Sequence, residues 1–260
     1  MDNYLDSTSP EYVRRMAASL NAKWEALAPY VTPGARVLDY GCGMPVEGGI
    51  RERVEAAGGM YECHDISTTV ETAMRDAGAT FRTKEDLHEF TGQDDGFEEI
   101  EAVWRLVADG GVAVVRDWSG VRFQARSELP QSLKVKSEDA MREVLAWIGA
   151  LALNAVVRVG NVKNYRIDWD NLEIHADPAS LYEIAFHSTW GLDSLPRESA
   201  EWYGEAQGEL SAHIRYWGDC TVERRYDEWD EGYLKHFQRL YNLDRLPWPT
   251  KTVLVLRRNK

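Results

Sequence analysis

The fold is decided by residues 35–45, which read ARVLDYGCGMP. The apolar first half of this stretch predicts a buried strand, and Gly41 and Gly43 end that strand abruptly. A helical pattern over residues 50–57 follows at once. Open α/β sheets form ligand sites at such strand–turn–helix junctions, because glycine adopts positive φ and lets a ligand approach the backbone closely. The sequence therefore predicts a ligand-binding turn at Gly41 and Gly43.

The spacing of Asp39, Gly41 and Gly43 indicates which kind of ligand the turn binds. A dinucleotide fingerprint would require glycine at position 46, where the chain has Val46. The stretch instead resembles the first motif of class I S-adenosylmethionine (SAM)-dependent methyltransferases, an acid followed by alternating glycines. Asp39, Gly41 and Gly43 match that motif, whereas Pro45 stands where a third glycine is common.

A second acid supports the same interpretation. Residues 60–66, MYECHDI, predict the next strand, and Asp65 lies at its end. An acid at that position can accept both hydrogen bonds of a ribose diol. The alternative is that Asp65 only caps the following helix. The predicted cofactor-binding residues are Asp39, Gly41, Gly43, Asp65 and Ile66.

The composition limits the classes of partner. The chain has 260 residues, 44% hydrophobic and 28% charged, which is typical of a soluble globular protein. A formal charge of −13 argues against sequence-independent binding to nucleic acid, which requires clustered lysine and arginine. A local basic patch remains an alternative, formed by Lys134, Lys136, Arg158 and Lys163.

The cysteines and the hydropathy of the chain indicate the cellular compartment of the protein. Three cysteines without C-x-x-C spacing predict a reducing environment and no metal site. No apolar run reaches transmembrane length, and residues 1–6 lack the pattern of a signal peptide. We expect a cytoplasmic protein that does not bind membranes.

Strands and helices alternate through the first half of the chain. The apolar stripe of residues 13–27 predicts a helix before the first strand, and residues 69–77 another after the second. The short interval of residues 66–87 leaves too little room for a complete third strand, helix and fourth strand. One strand–helix unit is therefore expected to be missing or vestigial. Residues 112–115 predict a fully buried strand.

Three side chains are candidates for catalysis. His88 and Glu89 lie where a fourth strand would release its chain into the cleft, and could orient or deprotonate a substrate. Arg116 follows the strand of residues 112–115, at the edge of the sheet where ligands bind. The alternatives are a polar helix start for His88 and Glu89, and an internal ion pair for Arg116 with Asp117.

The alternating plan stops after this strand. Residues 119–219 form a predicted insertion or lid subdomain within a single domain of residues 1–260. It contains a helix over residues 139–153 and a second one that begins at Asp177-Pro178. Its aromatic residues indicate either a pocket for a flat or cationic acceptor or a small core of the insertion itself. These residues are Trp190, Trp202, Tyr203, Tyr216 and Trp217.

Nearly the whole chain is similar to a divergent subgroup of class I methyltransferases, although only the first motif is specific. The other matching elements are Leu87-His88-Glu89, Arg116-Asp117, Asp177-Pro178, Thr189-Trp190 with Arg197-Glu198, and a hydrophobic closing strand. The resemblance implies an α/β, Rossmann-like methyltransferase sheet with helices on both faces. It also implies an antiparallel last strand, a shortened middle region and a large insertion before the last two strands.

The same resemblance implies SAM as cofactor and methyl transfer to a small-molecule or nucleotide-like acceptor. Two alternatives stay open. One is a binding or scaffold protein with a degenerate cofactor site, and the other is a nucleic-acid methyltransferase. The sequence determines neither the acceptor nor the oligomeric state.

Overall fold

The structure is a computed structural model that describes residues 17, 19–65, 67–83, 104–118, 129–154, 162, 165–198 and 218–260. The chain divides into two compact units. The first unit comprises Met1–Val114 and Val255–Lys260, and the second comprises Val115–Leu254. The predicted insertion of residues 119–219 falls within the second unit and stays a prediction as a separate subdomain.

The first unit contains a small parallel sheet with strand order β1-β2-β3. Its strands are β1 (Arg36–Tyr40), β2 (Met60–His64) and β3 (Thr80–Phe81). Its helices are α1 (Leu20–Leu27), α2 (Ile50–Ala56) and α3 (Thr68–Asp76). The strand–turn–helix prediction for residues 35–57 is confirmed, as is the helix predicted over residues 69–77, which is α3.

The core of this unit lies where α2 and α3 meet β2. Val54 of α2, Cys63 of β2 and Val70 of α3 are almost completely buried in one apolar cluster. In parallel strands linked by helices, such burial fixes the register, because a slip by one residue would turn the buried side chains outward. Asp39 is consequently held opposite Cys63, and Tyr40 opposite His64.

The second unit is mainly helical around a larger apolar core. Its helices are α4 (Glu138–Asn154), α5 (Pro178–Ser188), α6 (Leu195–Glu198) and α7 (Gly232–Phe237). A small antiparallel sheet has the order β5-β7-β6, formed by β5 (Ser132–Lys134), β6 (Arg166–Asp168) and β7 (Glu173–His175). As predicted, Asp177 caps α5, accepting hydrogen bonds from the Ala179 and Ser180 amides, and Pro178 opens the helix.

Helix α5 is the centre of this core. It packs against α4, and every residue from Ser180 to Ser188 is buried. A helix buried on all sides requires apolar partners on all sides. Large, fully buried side chains from outside the helix supply them, namely Trp147, Trp248, Tyr241 and Phe237.

A third sheet has the strand order β4-β9-β8, with β4 (Val112–Trp118), β8 (Cys220–Glu228) and β9 (Lys251–Arg258). Contrary to the prediction of full burial, residues 112–116 of β4 are only partly buried. Strand β9 is more buried than β4, and its Val253 and Leu256 are inaccessible to solvent. The sheet order explains the difference, since β9 has strand neighbours on both sides and β4, among the described residues, on one.

The predicted α/β class is confirmed, but the single large sheet is not seen. In the described part of the chain the strands form three separate three-stranded sheets, and β1 and β4 do not pair. The antiparallel orientation of the last strand stays a prediction. No helix among the described residues is both long and apolar enough to cross a membrane.

Candidate functional site

The glycine turn between β1 and α2 has the backbone geometry that the sequence predicts. Gly41 has φ +71° and Gly43 has φ +67°, values that side chains disfavour. The Gly41 and Cys42 amides both donate to the carbonyl oxygen of His64, at 2.9 and 3.1 Å. A Cβ atom built on either glycine would meet no described atom within 4 Å. The turn is therefore fixed on its β2 side, and none of the described residues fills the space above the two glycines.

The carboxylate of Asp65 joins this turn to the start of α3. Its Oδ2 accepts a hydrogen bond from the Gly43 amide at 3.0 Å, and its Oδ1 accepts one from the Ser67 amide at 3.0 Å. Ser67 in turn caps α3 by accepting from the Val70 amide. A carboxylate offers about four lone-pair positions, so two bonds leave capacity for a ligand hydroxyl. Asp65 thus has a structural role at the predicted place, and the ribose contact stays a prediction.

Asp39 lies on β1, two residues before the first glycine of the turn. Its Oδ2 accepts a hydrogen bond of 2.9 Å from the Tyr61 hydroxyl on the neighbouring strand. Burial raises the pKa of the Asp39 carboxyl, and the nearby Lys23 ammonium opposes that shift. Burial also raises the pKa of Tyr61, with the Asp39 charge contributing. Asp39 therefore supports the end of β1 from inside.

The raised pKa of Asp39 predicts a pH dependence of stability. The folded state holds the proton more tightly than the unfolded chain does. The stability that this carboxyl contributes is therefore fully present below its pKa in the unfolded chain. It is lost as pH rises through the higher folded pKa. We expect Asp39→Asn, which keeps an acceptor oxygen for Tyr61, to lose less stability between pH 4 and pH 7 than the wild type. Urea unfolding at both pH values measures this, and parallel curves for the two proteins would contradict it.

His64 belongs to the site although the sequence did not identify it. Its side chain is buried, its Nδ1 lies 2.8 Å from the Arg82 carbonyl oxygen, and its ring stacks on Tyr40 at 4.9 Å. These contacts fix the backbone carbonyl that anchors the glycine turn. The role of the carbonyl depends on position rather than residue type, so no sequence motif could have identified it.

Arg116 lies in the second unit, on β4. Its Nε donates to the Glu228 carboxylate at 2.7 Å, and both side chains are about nine-tenths buried. An ion pair of Arg116 is therefore present, and its partner among the described side chains is Glu228. The Arg116 Nη2 atom is buried and has no hydrogen-bond partner among the described residues. A catalytic role for Arg116 stays a prediction.

The other predicted residues divide into two groups. Trp190 is half-buried against the core of the second unit. Ile66, His88 and Glu89 lie outside the described residues, as do the side chain of Asp117 and the remaining insertion aromatics Trp202, Tyr203, Tyr216 and Trp217. The structure thus brings together Asp39, Gly41, Gly43 and Asp65.

No protein-family model and no curated protein matches this chain. Several solved structures with which it shares similarity are SAM-dependent methyltransferases. One is a SAM-dependent methyltransferase from Archaeoglobus fulgidus, 13% identical, with a TM-score of 0.44 and 94% of each chain covered. Another is the plantazolicin methyltransferase BamL in complex with a triazolic desmethylPZN analog and SAH. It is 11% identical, with a TM-score of 0.46, 97% of this chain and 92% of that chain covered.

A third solved structure, the [4+2]-cyclase SpnF, is 13% identical, with a TM-score of 0.35, 90% of this chain and 80% of that chain covered. At such low identities and TM-scores, these likenesses determine neither the activity nor the acceptor of this protein.

Proposed function

We propose that this protein is a SAM-dependent methyltransferase acting on a small-molecule or nucleotide-like acceptor in the cytoplasm. The observation that carries the proposal is the junction of β1, the positive-φ turn and Asp65. None of the described residues covers Gly41 or Gly43, and the acid at the end of the neighbouring parallel strand is hydrogen-bonded to Gly43. This combination fits a nucleoside held along the carboxyl ends of two parallel strands.

The turn and the acid have separate tasks in this proposal. Gly41 and Gly43 allow close approach of the ligand because they carry no side chain. Asp65 holds the Gly43 amide and offers its remaining lone pairs to the ribose hydroxyls. When bound, SAM supplies an electrophilic methyl group on a sulfonium centre. The protein's main contribution to its transfer is positioning.

The acceptor is assigned only by class. If it must lose a proton, His88 and Glu89 are the proposed bases, and the buried Nη2 of Arg116 is a proposed donor to an anionic acceptor group. The charge of −13 favours a small molecule over a nucleic acid. Retention on RNA or DNA that falls steeply with salt would instead favour the nucleic-acid alternative.

One observation favours a second function, a binding protein with a degenerate cofactor site. Both oxygens of Asp65 already accept backbone hydrogen bonds, from Gly43 and Ser67. A carboxylate engaged in this way stabilises the turn even if no ribose ever binds. Calorimetric titration of the wild type with SAM distinguishes the two functions, because the degenerate site would release no heat at high micromolar SAM.

We expect Asp65→Ala to weaken SAM binding by about 1.5–3 kcal/mol, the range for hydrogen bonds to a charged group. The substitution removes the ribose acceptor and also frees the Gly43 amide. Titration calorimetry of the variant measures the change. Asp65→Asn keeps one acceptor oxygen and should lose less affinity than the alanine variant.

The matched control is Asp76→Ala, which removes an exposed acid at the end of α3 in the same unit. Its affinity for SAM should equal that of the wild type. If Asp65→Ala also binds as the wild type does, Asp65 does not contact the cofactor, whatever the wild-type affinity is.

A further inference from the structure

Two of the three cysteines meet at the glycine turn. Cys42 lies between Gly41 and Gly43, and Cys63 lies on β2 opposite Asp39. The turn brings Cys42 back toward β2, because its amide donates to the carbonyl oxygen of His64 at 3.1 Å. The Cys42 side chain packs against the apolar cluster that contains the Cys63 side chain.

The surroundings of the two sulfur atoms differ. Cys63 is completely buried, and its Sγ lies 3.8 Å from the Thr80 carbonyl oxygen. Cys42 is only half-buried, so we expect a small oxidant to react there rather than at Cys63. Both are free thiols, and the third cysteine, Cys220, lies in the other unit. The arrangement thus places one half-buried cysteine near one buried cysteine within a single fold unit.

We propose that Cys42 and Cys63 are an oxidative modification site that closes into a reversible intramolecular disulfide. The oxidant is hydrogen peroxide. The Cys42 sulfur attacks the peroxide oxygen, the O–O bond breaks, and water leaves to give a sulfenic acid. The Cys63 sulfur then attacks the Cys42 sulfur, the S–O bond breaks, and a second water leaves with the remaining thiol proton. Two thiols and one hydrogen peroxide thus give one disulfide and two waters, and a dithiol reverses the reaction by exchange.

The environment predicts that this oxidation is slow. The hydrogen bond with Cys63, burial, and the Asp39 and Asp65 carboxylates raise the pKa of the Cys42 thiol. Thiolates are the reactive form, so only a small fraction of Cys42 reacts at any time near neutral pH. The test therefore uses long incubation with excess hydrogen peroxide.

The disulfide constrains the turn that we propose to hold SAM. Cys42 is flanked by the two positive-φ glycines, and a covalent bond to β2 fixes its position relative to both. This consequence rests on the proposed function, whereas the formation of the disulfide does not. We expect oxidised protein to bind SAM at least about ten-fold more weakly than reduced protein, a difference of about 1.4 kcal/mol.

The experiment maps thiols in the full chain after peroxide treatment. Free thiols are alkylated, the protein is digested without reduction, and peptides are identified by mass spectrometry. We expect a cross-linked pair of peptides containing Cys42 and Cys63, which dithiothreitol releases. Cys220→Ser should give the same cross-link, whereas Cys63→Ser should leave Cys42 as a sulfenic or more highly oxidised acid.

Wild-type protein alone decides the question if Cys63→Ser does not fold. Oxidised Cys42 without the cross-link, a cross-link that includes Cys220, or a disulfide-linked dimer on a non-reducing gel would each overturn the proposal. SAM titration of the reduced protein is performed in parallel. If the reduced protein does not bind SAM, the proposed function is wrong. The disulfide mapping tests the modification site independently of that result.

Discussion

Gly43→Val is expected to abolish measurable SAM binding and to leave the protein folded. Gly43 has φ +67°, a conformation that a β-branched side chain almost never adopts, and the left-handed region costs an ordinary residue about 1–2 kcal/mol. The valine side chain would also fill the space above the turn, where the described residues leave room. Calorimetry measures the loss of affinity, and circular dichroism with thermal melting verifies the fold.

The matched control separates strain from blocked space. Gly34 lies in the turn before β1, has φ +81°, and also has no described atom within 4 Å of a built Cβ. Gly34→Val therefore carries comparable backbone strain outside the proposed site. We expect it to lower stability and to keep SAM affinity. Equal loss of binding in both variants would mean that strain alone is responsible, and full affinity in Gly43→Val would refute the turn as the cofactor site.

Trp248→Ala is expected to have the largest effect on stability, about 3–5 kcal/mol of unfolding free energy. The Trp248 side chain is completely buried in the core of the second unit. Its ring contacts Tyr182 edge-on at 5.9 Å and lies 6.4 Å from Phe186, so truncation would leave a cavity against α5. Denaturant unfolding followed by circular dichroism measures the loss.

Trp229→Ala is the corresponding control, because that side chain is 48% exposed. It removes the same number of atoms but creates no buried cavity, and its effect should be within about 0.5 kcal/mol. Similar midpoints for the two variants would contradict the assignment of Trp248 to the core.

The sequence alone determined the elements whose signals are local. The glycine turn, the helix after it, the strand ending at Asp65 and the Asp177-Pro178 helix start were all predicted, and the structure has them at nearly those positions. Periodicity, positive-φ glycines and capping residues act within a few residues of chain, so a sequence reveals them directly. The spacing between Asp39 and the two glycines of the first motif is likewise a local signal.

The tertiary structure decided which side chains meet across long intervals of chain. Asp65 bonds to Gly43 across 22 residues, and Arg116 pairs with Glu228 across 112 residues. Such partners depend on strand register and sheet order, which local sequence patterns do not reveal. The burial of β9 rather than β4, and the meeting of Cys42 with Cys63, have the same origin. Packing of the whole unit selects one register, and that register places these groups within reach of each other.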